Sequence, residues 1–213
     1  MSDKLDYKKE YKDLYAPKTA PAEILLPPIK FIAVNGAGDP NEEGGAYKNA
    51  VGLLYTLSYT IKMSRMGGNA PEGYFDYVVP PLEGLWWMAD GSHGVDYSRK
   101  SDFCWVSMIR QPDFVTPEVF QWACGEARRK KDVDPSAARL ETLDEGLCVQ
   151  CMHIGSYDEE PATVAKIESY IRENGLVNDI GNIRRHHEIY LSDPRKADPA
   201  KLKTVLRVPV RKA

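Results

Sequence analysis

The chain has 213 residues, 43% of them apolar and 28% charged, with 28 Lys and Arg against 31 Asp and Glu. This composition excludes a mostly disordered chain, a collagen-like or coiled-coil rod, and direct nucleic-acid binding through a global basic excess. No run of about 18 apolar residues is present to cross a membrane, and Met1 to Glu10 has no apolar secretory segment, so the expectation is a cytoplasmic protein with reduced cysteines.

Residues 1–28 are charged, then proline-rich (Pro17, Pro21, Pro27, Pro28), and read as an N-terminal arm laid over the surface, outside the core. Lys30–Val34 is a short apolar strand ended by the Asn35-Gly36-Ala37-Gly38-Asp39-Pro40 turn. Gly36 and Gly38 lack the third glycine of a dinucleotide loop. Ala46–Met63 is a helix whose core stripe is Tyr47, Ala50, Val51, Leu54, Leu57 and Ile61, with Tyr55 and Tyr59 on its flank. Gly73–Met88 reads as an aromatic, β-branched strand that Pro80 and Pro81 either confine to an edge or bend, and Asp90–Gly94 as the next turn. Asp102–Arg110 is a further strand. Thr116-Pro117-Glu118 then opens a helix that closes on the basic run Arg128–Lys131, a solvated end matching the helix dipole.

The second half repeats this order. Leu147–Ile154 is a strand, Gly155-Ser156-Tyr157-Asp158 a turn, Pro161–Asn174 a helix, and His186–Leu191 and Leu202–Val210 are strands. Ile32–Asp39 parallels Cys151–Asp158, Leu82–Trp86 parallels His187–Leu191, and Met108–Pro112 parallels Val205–Pro209. The expected fold is α+β: tandem strand-helix-strand-strand units, about 29–131 and 138–213, joined into one antiparallel sheet with two main helices. A groove between the halves is a natural ligand site.

The paired units, the Gly155-Ser156-Tyr157 turn and the Glu188-Ile189-Tyr190 strand resemble the GyrI-like small-molecule-binding proteins. The similarity covers roughly residues 20–210. Further segments that carry it are Leu54–Tyr59, Glu72–Tyr77, Leu82–Trp86, Cys148–Gly155 and His187–Pro194. It is strongest to the stand-alone subgroup that includes cyclopropanoid cyclopropyl hydrolases. The resemblance implies an aromatic-lined pocket on a pseudo-twofold axis with one buried carboxylate at its centre. It also implies a small hydrophobic or aromatic ligand, and a monomer or weak dimer is expected. No helix-turn-helix precedes the first helix, so a transcription factor is not expected.

Alternation puts Glu188 on one strand face with His186 and Tyr190. By pattern it is either a solvent-facing edge residue or a buried functional group; the resemblance makes it the central acid. The same resemblance points Tyr157 into the groove, so Glu188 and Tyr157 are the candidate catalytic residues. Tyr55, Tyr59, Trp86, Trp105, Trp122 and Tyr190 are candidate ligand contacts; the alternative for Tyr55 and Tyr59 is a plain surface position, and for the three Trp the core. Cys148 and Cys151 form a C-x-x-C with its thiols on opposite faces of a strand and no second ligand pair at zinc spacing, so no metal or redox role is expected. No cofactor is expected either. Haem, suggested by another family of similar duplicated fold, finds no diagnostic motif among the four His.

Two activities use the same residues. One is a detoxifying hydrolase that opens cyclopropane-bearing electrophiles, a Tyr hydroxyl activating the carbonyl and Glu188 deprotonating water. The other is a non-catalytic binder or sensor of lipophilic or cationic drugs, with Glu188 as counter-charge. No residue speaks for a gyrase contact.

Overall fold

The computed structural model describes residues 4–92 and 94–213; His93, within the Asp90–Gly94 turn read from the sequence, lies outside them. The elements in chain order are α1 (Tyr7–Glu10), α2 (Lys12–Tyr15), β1 (Ala22–Leu26), β2 (Ile29–Ala37), α3 (Ala46–Lys62), β3 (Leu82–Met88), β4 (Phe103–Arg110) and α4 (Pro117–Lys131). They continue with β5 (Ala138–Leu143), β6 (Gly146–Ile154), α5 (Glu160–Glu173), β7 (Leu176–Asn178), β8 (His186–Tyr190) and β9 (Lys203–Lys212).

The sheet runs in the order β1-β6-β9-β8-β3-β4-β2-β5, with β7 paired to the end of β9, and neighbouring strands are antiparallel. The fold is the α+β arrangement read from the sequence. The strand-helix-strand-strand order β2-α3-β3-β4 is repeated as β6-α5-β8-β9, and the halves join where β3 pairs with β8. Lys30–Val34 and Leu147–Ile154 hold equivalent places, each on the outer strand of its unit. Each outer strand is then covered by a strand from the other part of the chain, β6 by β1 and β2 by β5.

Only Pro27 and Pro28 separate β1 from β2, although β1 starts the sheet and β2 lies near its far end. Two linking residues bring Leu26 and Ile29 within roughly 11 Å, so the sheet must curl strongly. Its inner face accordingly gathers Leu26, Phe31, Leu85, Met108 and Cys148, from five strands, into one apolar cluster. On the other face α3 packs over β2 and β4, and α5 over β6 and β9, leaving β3 and β8 between the helices. Leu54, Leu57 and Ile61 of α3 and Phe120 and Ala123 of α4 fill the first unit's core, and Ile167 and Ile171 of α5 the second's. Val51, read as core stripe, is only half-buried, and Leu53 and Ser58 are buried instead.

Three local expectations change. Gly73–Met88 is not one strand: β3 begins at Leu82, because Pro80 and Pro81 offer no N–H to a ladder, and 73–81 contributes only a parallel bridge between Tyr77 and Leu5. The N-terminal arm is not merely superficial. Tyr7 and Tyr15 are buried, and Ala22–Leu26 is a sheet strand. Lastly, matching Leu82–Trp86 to His187–Leu191 letter by letter sets Glu83 on Glu188. The actual pairing puts Gly84 opposite Glu188 and Glu83 opposite Ile189. A slip of one residue exchanges faces, so the two glutamates lie on opposite sides of the sheet.

Candidate functional site

Glu188 lies on the helix-bearing face of β8, at the junction of the halves, with only 5% of its surface exposed. Facing it on β3 is Gly84. A Cβ there would sit 2.7 Å from Trp86 Nε1 and 3.2 Å from Tyr190 Oη, so this mid-strand glycine makes room for a polar chain. Trp86 Nε1 donates to Tyr190 Oη at 2.8 Å, and Tyr190 donates to Glu188 Oε2 at 2.7 Å. His186 Nε2 lies 3.3 Å from Glu188 Oε1.

A second carboxyl group joins it. Glu160, the first residue of α5, is fully buried, and its Oε2 accepts a hydrogen bond from Tyr97 at 2.7 Å. The same Tyr97 hydroxyl is 3.4 Å from Glu188 Oε1. Burial, and then the Glu188 carboxylate, push Glu160 well above the usual carboxylate range; the hydrogen bond from Tyr97 acts in the opposite direction. Among the described residues Glu160 Oε1 receives no donor. Burial therefore favours the neutral form of Glu160, and the site sets two carboxyl groups around the one Tyr97 hydroxyl.

Aromatic rings enclose the pair. Tyr157 stands edge-on to Tyr190 at 5.8 Å, and its hydroxyl is pushed up to about 12 by burial, then by Glu160 and Glu188. Tyr47 of α3 packs against Trp86 at 5.4 Å and Trp105 at 5.2 Å. The structure thus brings together four of the residues singled out from the sequence: Glu188, Tyr157, Tyr190 and Trp86. Trp105 lies beneath Tyr47, fully buried, its ring filling the space that a Cβ on Gly36 would need. Trp122 packs on the first unit's core from α4. Tyr55 and Tyr59 lean on each other at 6.2 Å along α3; Tyr55 is half-buried and Tyr59 is 47% exposed.

Glu160 and Tyr97 escaped the sequence reading, and Tyr47 reads there only as part of the helix core stripe. Glu160 looks like an ordinary first-turn helix acid, one of three in Asp158-Glu159-Glu160. The usable clue is that Glu159 already caps the turn through Ser156, leaving Glu160 free to point inward. Tyr97 sits in a polar connection with no periodicity to reveal its direction. Both carboxyl groups are buried. A hollow of about 410 Å³ lies elsewhere, on the outer flank of α5 between Pro21, Lys166 and Tyr170.

Across the sheet lies a separate buried network. His187, fully buried, holds Nδ1 at 2.9 Å from Glu145 Oε1 and Nε2 at 3.0 Å from Glu83 Oε2. Arg207 Nη1 donates to the other Glu145 oxygen at 3.1 Å. The N-terminal arm closes over it: Tyr15 donates to Glu83 at 3.3 Å, and Arg207 and Gln150 donate to the Leu14 and Asp13 carbonyls at 3.3 and 2.6 Å. Cys148 and Cys151 pack into different apolar clusters, on opposite faces of β6.

A duplicated α+β unit with an aromatic-walled acid at its junction defines a small-molecule-binding class. The chain belongs to the GyrI-like family: the model of the GyrI-like small molecule binding domain matches residues 19–211. A solved structure of a hydrolase from Listeria innocua is 51% identical, with 98% of this chain and 100% of that one covered, at a TM-score of 0.88. An uncharacterized conserved protein from Listeria innocua is 52% identical over the same shares at 0.91. The EcmrR C-terminal domain shares the fold at 13% identity and a TM-score of 0.55, over 91% of this chain and 98% of that one. No curated protein matches the sequence. Among the described residues no helix is long and apolar enough to cross a membrane.

Proposed function

We propose that this protein is a hydrolase that detoxifies flat, aromatic electrophiles by adding water across a strained cyclopropane conjugated to a dienone. The observation that carries this reading is the buried Glu160–Glu188 pair, joined through the Tyr97 hydroxyl and walled by Trp86, Tyr47, Tyr157 and Tyr190; in this reading Glu160 is the acid and Glu188 the base. Glu160 donates its proton to the carbonyl oxygen, with the Tyr157 hydroxyl as a further donor. Glu188 takes a proton from water as the water oxygen bonds to the ring carbon. The cyclopropane C–C bond breaks and its electron pair flows into the dienone, which becomes a phenol. The proton gained by Glu188 returns to Glu160, and the site is reset. The aromatic walls stack on the ligand's flat rings. The relative in Listeria innocua called a hydrolase supports an activity of this type. The test is turnover: an indole-fused spirocyclopropyl dienone is incubated in large excess over the protein and its hydrated product counted. Many equivalents of product are expected. Loss of no more than one equivalent per chain would sink the hydrolase reading and leave a binder of lipophilic or cationic drugs.

A further inference from the structure

We propose that Tyr97 is a positioning residue whose hydroxyl keeps the Glu160 proton on Oε1 and screens the carboxyl pair from water until a ligand oxygen takes its place. The inference rests on reading this pair as the ligand site. Tyr97 is supplied by the first unit, from the connection between β3 and β4, while both carboxyl groups belong to the second. Its one proton goes to Glu160 Oε2 at 2.7 Å, whereas Glu188 Oε1 is more distant at 3.4 Å. With Oε2 engaged as an acceptor, the remaining Glu160 oxygen carries the acid proton. The ring rests edge-on against Phe103 at 6.1 Å.

The residues that hold Tyr97 down are weakly tied. Arg99 pairs with Asp90 at 2.9 Å and with Asp102 at 2.6 Å, and Lys100 reaches Asp158 across the junction at 2.9 Å. These pairs are exposed or half-exposed, and such pairs each contribute about 0–1 kcal/mol. The hydroxyl can therefore be displaced. What displaces it decides the chemistry. A ligand carbonyl only accepts hydrogen bonds, so on replacing Tyr97 it turns Glu160 from acceptor to donor. A ligand ammonium or hydroxyl in that place donates as Tyr97 does, and leaves Glu160 unable to act as an acid. Tyr97 thus makes the site selective for carbonyl-bearing ligands.

The titratable groups facing the pair are Tyr47 from α3, Tyr97 itself, Tyr157 from the turn before α5, and His186 and Tyr190 from β8, with Asp193 farther off. The deciding experiment needs no ligand. The infrared carbonyl band of neutral Glu160, assigned by its loss in Glu160→Gln, is titrated in wild type, Tyr97→Phe and Tyr97→Ala. Tyr97→Phe keeps the ring but loses the hydrogen bond that holds Glu160 down. Its titration should rise by roughly half to one pH unit, the scale of one hydrogen bond. Tyr97→Ala admits water, so its titration should fall toward the ordinary carboxylate range. Unchanged titration in Tyr97→Phe, or movement of both variants in one direction, overturns the proposal. The indole-fused dienone is then added to each protein. If it binds to none of them, the hydrolase reading fails while the titrations still decide the role of Tyr97. If it binds wild type without altering the Glu160 band, displacement of Tyr97 is refuted.

Discussion

His187 and Glu188 are adjacent in sequence and face opposite sides of the sheet. His187 enters a network with Glu83, Glu145 and Arg207 beneath the N-terminal arm, and Glu188 enters the site at the junction of the halves. One strand thus carries two separate electrostatic systems, each open to its own test.

Replacing Glu188 with Gln keeps its shape and removes its basicity. Turnover of the dienone should fall by roughly a hundredfold or more, the scale for losing a positioned base. Binding of a neutral flat ligand should stay within about tenfold, because the stacking area is untouched. Kinetics and calorimetry on the same preparation check both. Full turnover in the variant would mean that the base is elsewhere.

Glu160→Gln should stabilise the fold. A carboxyl group raised above its unfolded value of 4.5 binds its proton more tightly when folded, so folding loses stability as pH climbs above 4.5. The amide has no such cost. The melting temperature of the variant should exceed that of wild type by a margin that grows with pH above 4.5, while turnover drops. A variant less stable at pH 7 would contradict the neutral-acid assignment.

The network around His187 should give stability a bell-shaped pH dependence. Burial works against a charged His187, but Glu145 and Glu83 outweigh it and lift the imidazole from 6.5 to about 9. Its contribution is complete below pH 6.5 and is lost as pH rises through about 9. Burial likewise opposes an ionised Glu145, yet His187 and Arg207 hold it down from 4.5 to about 2. That contribution is present above pH 4.5 and fades as pH falls through about 2. Urea unfolding across pH should show both limbs. His187→Gln should cost about 3–5 kcal/mol near neutrality, as for breaking a buried ion pair, and should flatten the alkaline limb. A wild-type curve level from pH 6.5 to 9 would refute the assignment.

Gly84→Ala should disturb the site from the opposite strand. The added methyl carbon falls 2.7 Å from Trp86 Nε1, which must give way and loosen its bond to Tyr190. A loss of about 1–3 kcal/mol is expected, the cost of overpacking, together with a shift in tryptophan emission. Wild-type emission and stability would show that the strands part more easily than the geometry allows.

The long amphipathic helices and the apolar strands were legible because their periodicities extend over many residues. The short strands were not. Ala22–Leu26 is mostly exposed and flanked by prolines, Ala138–Leu143 alternates weakly, and Leu176–Asn178 has three residues, so each is fixed by its partner strand and not by its own letters. Glu188 was legible through the family resemblance, and Tyr190 through its place on the same strand face. Glu160 and Tyr97 were not, since both owe their roles to tertiary placement that unremarkable local sequence does not encode. The match of Glu83 to Glu188 failed for a simple reason: letters ignore the parity of the pleat.

The exchange of outer strands also bears on how the molecule is made. Ala22 pairs with Gln150 and Leu26 with Gly146, so strands far apart in sequence must meet before the second unit has a covered edge. During synthesis the N-terminal segment emerges long before its partner and waits with unsatisfied backbone groups. Such distant pairings close slowly, because the intervening chain must be ordered before the contact forms. Neither half can complete its sheet alone, and a chain severed between α4 and β5 would leave two fragments, each with the strand the other lacks.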